Sequence, residues 1–377
     1  MRDIATQGIF VADSLFDNLP TSAVICHNST GVLPISPEPE WVRWGLVAEG
    51  QRLWTNYFGT SFTALLMCLM SGFNIARFGE VLYHNGYAKD AETARVRYSA
   101  TAFAVADWLR FPLDDVNGRS RQTINKVRAM HTFARRRSRR LFQPEEGVAL
   151  SQYDMAEVLL AFSGICLQAM KEDFNTHISG AELEPMVHMW RLIGYHLGIQ
   201  DRFNVCASVE RMNSCLQEFN TFCEQRAATA RPYTNKLRSM ALEGFGTFTG
   251  IGSVLLGSMT FDLNYKTDVL QNKSLGERPK IRGLTRASSA GLKRASSVAS
   301  LVLSSKIGGD VLKQVIYSAS DIRNDDRPKF TRYQKSLVLL SEGLDYYVWS
   351  PPSSVPFLTM AGFCGIFVGT MLFRHVL

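Results

Sequence analysis

The sequence lacks the short motifs that mark several large enzyme classes. Its 377 residues contain no GxGxxG or GxxxxGK(S/T) phosphate loop, no GxSxG nucleophile elbow and no HExxH zinc pair, so nucleotide transfer, serine hydrolysis and zinc proteolysis are unsupported. Cysteine is sparse too. Seven are scattered without a CxxC pair (Cys26, Cys68, Cys166, Cys206, Cys215, Cys223, Cys364), which favours reduced structural thiols in a cytosol-facing protein over a disulfide framework or a zinc site. Strand-type alternation is nearly absent. The first thirty residues carry Asp3, Asp13 and Asp17 and no basic start before an apolar core, so no secretory signal peptide is expected and the protein reads as intracellular.

What is present is enough chain for a large core. At 42.2 kDa the length prior is one large domain or two ordinary ones. Hydrophobic residues at 46% and aromatics at 11% fit a folded protein, and a mean hydropathy of -0.04 is too low for a multi-span membrane protein. The formal charge of +7 and a pI near 9.0 suit nucleic acid, an anionic membrane surface or an internal anionic ligand. Charge alone does not choose among them. Much of it sits in two clusters, Asn125 to Arg140 and Lys273 to Lys306.

Along the chain, residues 1–40 form an N-terminal segment that runs into the Pro-rich loop "PISPEPEW". Residues 41–262 read as an all-α domain whose helical patterns include "DAETARVRYSATAFAVADWLRF", "SQYDMAEVLLAFSGICLQAMKEDF" and "ELEPMVHMWRLIGYHLGI". Ser151 is placed to start one helix, and the acids of "ELEP" fall in the first turn of the helix that carries Trp190. The uncharged run from Leu53 to Ala76 is long enough to span a membrane, but its Asn, Thr, Ser and Gly favour a core helix. Residues 263–306 are a basic, Ser-rich insertion or linker, and "TRASS" and "KRASS" offer a context a kinase could read. A helical extension, 307–354, follows. The apolar segment 355–377 has nineteen uncharged residues from Val355 to Phe373, and two readings stand: a membrane anchor or a buried final helix.

"NKVRAMHTFARRRSRR" packs seven Lys or Arg around one histidine. At 100° per residue Arg128, His131 and Arg135 share an arc of about 60°, with Ile124, Val127 and Phe142 on or beside it. Lys126, Arg136, Arg137 and Arg140 point elsewhere, and Arg139 is at the border. Burying two guanidinium groups is costly unless they meet anions. A haem would suit such a face, because a neutral imidazole ligates iron and flanking Arg pair with propionates; a satisfied structural histidine is the other reading. On the preceding helix Arg97 and Thr101 are four apart and share a face. His84 reads as solvated in a loop, and His188 and His196 as structural.

"RVRYSAT" (Arg97, Thr101), "VRAMHTFAR" (Arg128, His131, Arg135), "WRLIGYHLGI" and "GFNIARFGEVLYHNGY" together resemble the latex-clearing proteins, or rubber oxygenases, and the related ER-bound oxygenase mpaB group. The resemblance covers roughly residues 45–262. It implies a globin-like helical core with additional helices, binding haem b with His131 as the iron ligand. It further implies that Arg128 and Arg135 support the haem, that Arg97 and Thr101 lie near the reacting face, and that Glu80 is the candidate catalytic carboxylate. The chain departs from the family pattern at "HNG" before Tyr87, at Ala100 and by one position at Glu80, which leaves substrate and resting state open.

The resulting expectation is a haem-dependent oxygenase that uses O2 to cleave a carbon–carbon double bond of an isoprenoid or other unsaturated lipid. It would be membrane-associated, at the endoplasmic reticulum or another membrane, through the C-terminal segment. The alternative is a non-catalytic haem-binding or basic membrane-surface helical protein. Nucleic acid is not an expected partner, because no aromatics interleave with Arg135 to Arg140.

Overall fold

The structure, a computed structural model, describes residues 38–71, 76–142, 147–226 and 304–322. The expectations for the N-terminal 37 residues, for the kinase-context serines and for the apolar segment 355–377 lie outside the described residues. The described chain is all-α. Its helices are α1 (Trp44–Asn56), α2 (Phe58–Ser71), α3 (Ala76–His84), α4 (Ala91–Arg110), α5 (Arg119–Arg137), α6 (Gln152–Leu160), α7 (Cys166–Glu172), α8 (Gly180–His196), α9 (Val209–Arg226) and α10 (Lys306–Ile322). A π-helical turn, Ala161–Ile165, joins α6 to α7.

Helix starts follow from local side-chain chemistry. Ser151 caps α6 as expected: its Oγ accepts from the Asp154 amide at 3.2 Å, and Asp154 accepts from the Ser151 amide at 2.8 Å. Glu182 does the same for α8, accepting from the Ser179 amide at 2.8 Å. Asp90 caps α4 through the Thr93 amide at 2.8 Å. α8 ends on Gly198, whose φ of +100° is the left-handed conformation that a residue without a Cβ adopts at least cost.

α1 packs most extensively on α8. Gly50 permits that approach, since a Cβ there would collide with the Pro185 carbonyl and lie 2.9 Å from Met189 Cβ. Beneath the crossing, Trp190 of α8 meets Trp54 of α1 at 5.9 Å, Trp108 of α4 at 6.4 Å and Phe162 of the π-turn at 5.7 Å, all edge to face.

The Leu53 to Ala76 run corrects the sequence reading of one core helix. It is broken at Tyr57 into α1 and α2, and Ser61 Oγ bonds back to the Trp54 carbonyl at 3.1 Å across the break. The break lets α1 serve α8 while α2 serves α7 and α10. The described stretch long and apolar enough to cross a membrane is instead Gln152–Glu172, of mean hydropathy 1.2, and 72% of it is buried against the core. Cys68, Cys166, Cys206 and Cys215 are free and buried, and burial pushes the Cys68 and Cys206 thiols up to about 12.

α4 and α5 form the hairpin that carries the candidate residues, and Asp107 sets its register. The Asp107 carbonyl accepts from Ser120 Oγ at 2.7 Å, and its carboxylate meets Arg119 at 3.1 Å and Thr123 Oγ1 at 3.3 Å. Ten residues back along α4 is Arg97, and ten residues on from Arg121 is His131, so equal helical rise puts these two at one level.

Candidate active site

The basic segment divides between two faces as helical arithmetic predicts. Arg128 and Arg135 are buried at 5% and 8% exposure, His131 is half-buried, and Lys126, Arg136, Arg137, Arg139 and Arg140 are exposed. The inner face then divides again. Around His131 the bearing charges are Arg97 and Arg135; around His196 of α8 and Tyr195 they include Arg128. The structure thus brings Arg97, Thr101, His131 and Arg135 together and turns Arg128 toward α8.

At His131 burial comes first, and the Arg97 and Arg135 guanidinium groups add to it, so the imidazole is pushed down to about 3. It is neutral at any physiological pH, the form that can ligate a metal. Its Nδ1 is buried and has no hydrogen-bond partner among the described residues. Arg97 is equally unusual. Burial lowers its pKa, its guanidinium bonds Thr101 Oγ1, and the neighbouring titratable groups are Tyr98 and Tyr87. Among the described residues no carboxylate pairs with it. Thr101 Oγ1 donates back to the Arg97 carbonyl at 3.1 Å, which fixes the hydroxyl against the cation. Arg135 spends Nε and Nη2 on one acceptor, the Leu150 carbonyl, at 3.0 and 2.8 Å. Leu150 has a φ of +53°, so the guanidinium fork steadies a backbone conformation that side chains disfavour.

Glu80 sits half-buried on α3 and is not among the charges that bear on Arg97 or His131. Phe142 belongs to a different contact: it lies 4.2 Å under Arg77, which pairs with Asp154 at 2.6 Å. His84 ends α3 rather than lying in a loop; it is exposed, with Nε2 3.3 Å from the Arg137 carbonyl. A cleft of about 440 Å³ lined by Trp44, Gln51, Thr55, Arg110 and Pro112 lies at the far end of α4, roughly 18 Å of helical rise from Arg97.

A second polar neighbourhood was invisible in sequence. Arg121 donates to Glu38, which precedes α1, and meets His196 Nε2; Glu38 Oε2 is 3.2 Å from the same ring nitrogen, and Arg121 Nε bonds the Leu113 carbonyl at 2.7 Å. Burial would raise the Glu38 carboxyl, but the His196 hydrogen bond and Arg121 together hold it below the usual carboxylate range. Beside it, Trp41 stands edge-on to His188 at 5.7 Å and under Arg191 at 3.9 Å, and His188 Nε2 accepts from the Arg43 amide at 3.1 Å. Apart from Arg121 and Leu113, these partners are 75 to 158 residues apart in sequence, beyond the reach of any spacing rule.

A family model described as the ER-bound oxygenase mpaB/B'/rubber oxygenase catalytic domain matches residues 52–255, more than half of the chain. The chain belongs to this family. All of α2 to α9, and with them Arg97, Thr101, His131 and Arg135, fall within the matched span of this mpaB/rubber oxygenase catalytic domain. The solved structure of latex clearing protein LCP in the closed state is similar over 80% of this chain and 76% of that chain, at 15% identity and a TM-score of 0.48. Among curated proteins, no sequence matches. The chain therefore carries a catalytic domain of oxygenase type.

Proposed function

We propose that this mpaB/rubber oxygenase family member is a haem b oxygenase that cleaves a carbon–carbon double bond of an isoprenoid or other unsaturated lipid. The observation that carries the reading is the mismatch at the α4–α5 level. A neutral imidazole with an unpartnered buried nitrogen stands among cations, Arg97 and Arg135, that no described carboxylate neutralises. A buried site of that kind favours a ligand with acidic groups and a metal that accepts imidazole, and haem offers both.

When bound, haem would supply the iron at which O2 is activated. The chain's residues supply the rest. His131 would hold the iron, and its depressed pKa keeps the imidazole free of a competing proton. Arg97 and Arg135 would answer the propionate charges or the charge that develops on oxygen. Thr101, locked to Arg97 on one side and to its carbonyl on the other, orients the guanidinium. Tyr98 and the packed α2 and α4 core exclude water, which suits an apolar alkene. Both oxygen atoms of O2 end in the two carbonyl fragments, so the overall balance requires no outside reductant. Glu80 takes no part in this scheme.

The test is a spectrum followed by product analysis. Protein purified from haem-replete cells carries a Soret band that His131→Ala removes, and with O2 and a polyprenyl alkene it yields aldehyde or ketone fragments. A colourless wild-type protein overturns the haem reading. A coloured protein that gives no carbonyl products across a broad panel of unsaturated lipids overturns the oxygenase reading and leaves a haem binder.

A further inference from the structure

The scheme above uses one face of α5 and leaves the opposite one. The exposed positions Lys126, Ala129, Phe133, Arg136, Arg137 and, just past the helix, Arg140 recur at spacings of three and four, so they form a single stripe. Within α5 itself, Arg119–Arg137, there is no Asp or Glu to offset these cations. Near the middle of the stripe Phe133 is 58% exposed, an apolar ring that the core leaves in water. Two further side chains of the same kind stand at this end of the hairpin. Tyr83 is 40% exposed near the end of α3, which is fastened to the end of α5 by Asn85 Nδ2 donating to Ser138 Oγ at 2.7 Å. Val96 of α4 is 51% exposed and adjoins Arg97, which is level with His131, two residues before Phe133.

We propose that this end of the helical body, which exposes Phe133, Arg137, Arg139 and Arg140, docks on the surface of an anionic phospholipid bilayer. Such a surface uses both halves of the feature. The guanidinium groups meet lipid phosphates and carboxylates within a Debye length, and the exposed ring enters the boundary between headgroups and acyl chains. A nucleic acid would use the cations but gives no role to a ring set apart from the arginine run. The docked face is opposite the one that carries His131, so the proposal stands or falls independently of any haem.

The test is flotation of the full chain with vesicles of phosphatidylcholine, alone or with about a quarter phosphatidylserine. Because an apolar segment elsewhere in the chain would bind both kinds of vesicle, the quantity read is the ratio between them. Wild type should favour anionic vesicles by at least about tenfold at low salt, and high salt should erase the preference. R137Q/R139Q/R140Q and the charge reversal R137E/R139E/R140E should bring the ratio close to one with an unchanged helical spectrum and melting midpoint. Phe133→Ser should weaken binding to anionic vesicles by about tenfold. K293E/R294E, in the other basic cluster, should leave the ratio intact. The proposal is overturned if the arginine variants keep the preference, or if the preference disappears with K293E/R294E instead. It is equally overturned if those variants lose affinity for a labelled RNA oligonucleotide, or lose self-association by sedimentation, while the vesicle ratio is unchanged.

Discussion

Two buried histidine neighbourhoods lie on packed helices of this protein, and they solve the problem of buried charge in opposite ways. Around His196 the chain answers itself: Glu38 meets Arg121 and lies 3.2 Å from the imidazole. Around His131 it does not, since Arg97 and Arg135 press on a ring whose Nδ1 has no partner, and no described carboxylate joins them. A polar cluster whose charges are matched within the chain is part of the framework. The cluster at His131 carries a cationic excess over the described residues, and that excess is what the proposed cofactor would answer.

Exchanging the histidines gives the largest contrast. His131→Ala should weaken haem binding by at least about 100-fold, read from the Soret band on titration, while moving the melting midpoint little. His196→Ala should keep the Soret band and lower the midpoint. The two arginines should differ in sign. Arg121→Met strands Glu38 and should cost about 2–3 kcal/mol in urea unfolding, the more modest figure reflecting a carboxylate that is 29% exposed. Arg97→Met removes a desolvated cation that no described carboxylate pairs, so it should stabilise the haem-free chain by about 1 kcal/mol while weakening haem binding. A loss of stability with Arg97→Met equal to that with Arg121→Met would erase the distinction between the two neighbourhoods.

Acid should find the framework cluster as well. Burial first, then the charges of Arg43 and Arg191, push His188 down to about 4, against about 6.5 in the unfolded chain. The unfolded chain therefore binds the proton first, so stability is full above pH 6.5 and falls as pH drops toward 4, by about 3 kcal/mol. Melting midpoints measured across that window should fall in wild type and fall less in His188→Gln. A flat profile would show that this histidine is not held neutral by the fold.

Much of this was legible because it is local. Ser151 before an acid three residues on, acids in the first turn before Trp190, and the two faces of α5 each depend on neighbours within one or two turns, and each appears in the structure where spacing puts it. The family resemblance carried on Arg97, Thr101 and His131 also meets a matching family span. What sequence could not supply is set by contacts between distant segments. Tyr57 interrupts an apolar run because α1 and α2 serve different partners. Arg128 shares an arc with His131, yet its charge bears on Tyr195 and His196 of α8, a neighbour that no spacing within α5 reveals. Glu38 finds Arg121 across 83 residues, a pairing that no periodicity encodes.

α10 belongs to the same group of distant contacts. Residues 227–303 separate it from α9 in sequence, yet Ile316 is 8% exposed within the shared core, Tyr317 stands 5.4 Å from Phe58, and Arg110 lies 4.9 Å over the same tyrosine ring. Among the described residues, side-chain packing holds α10 against α2 and α4. The last described helix thus closes a body that much earlier residues build: without it, the Phe58 ring and the Arg110 guanidinium would lose the tyrosine that meets them both.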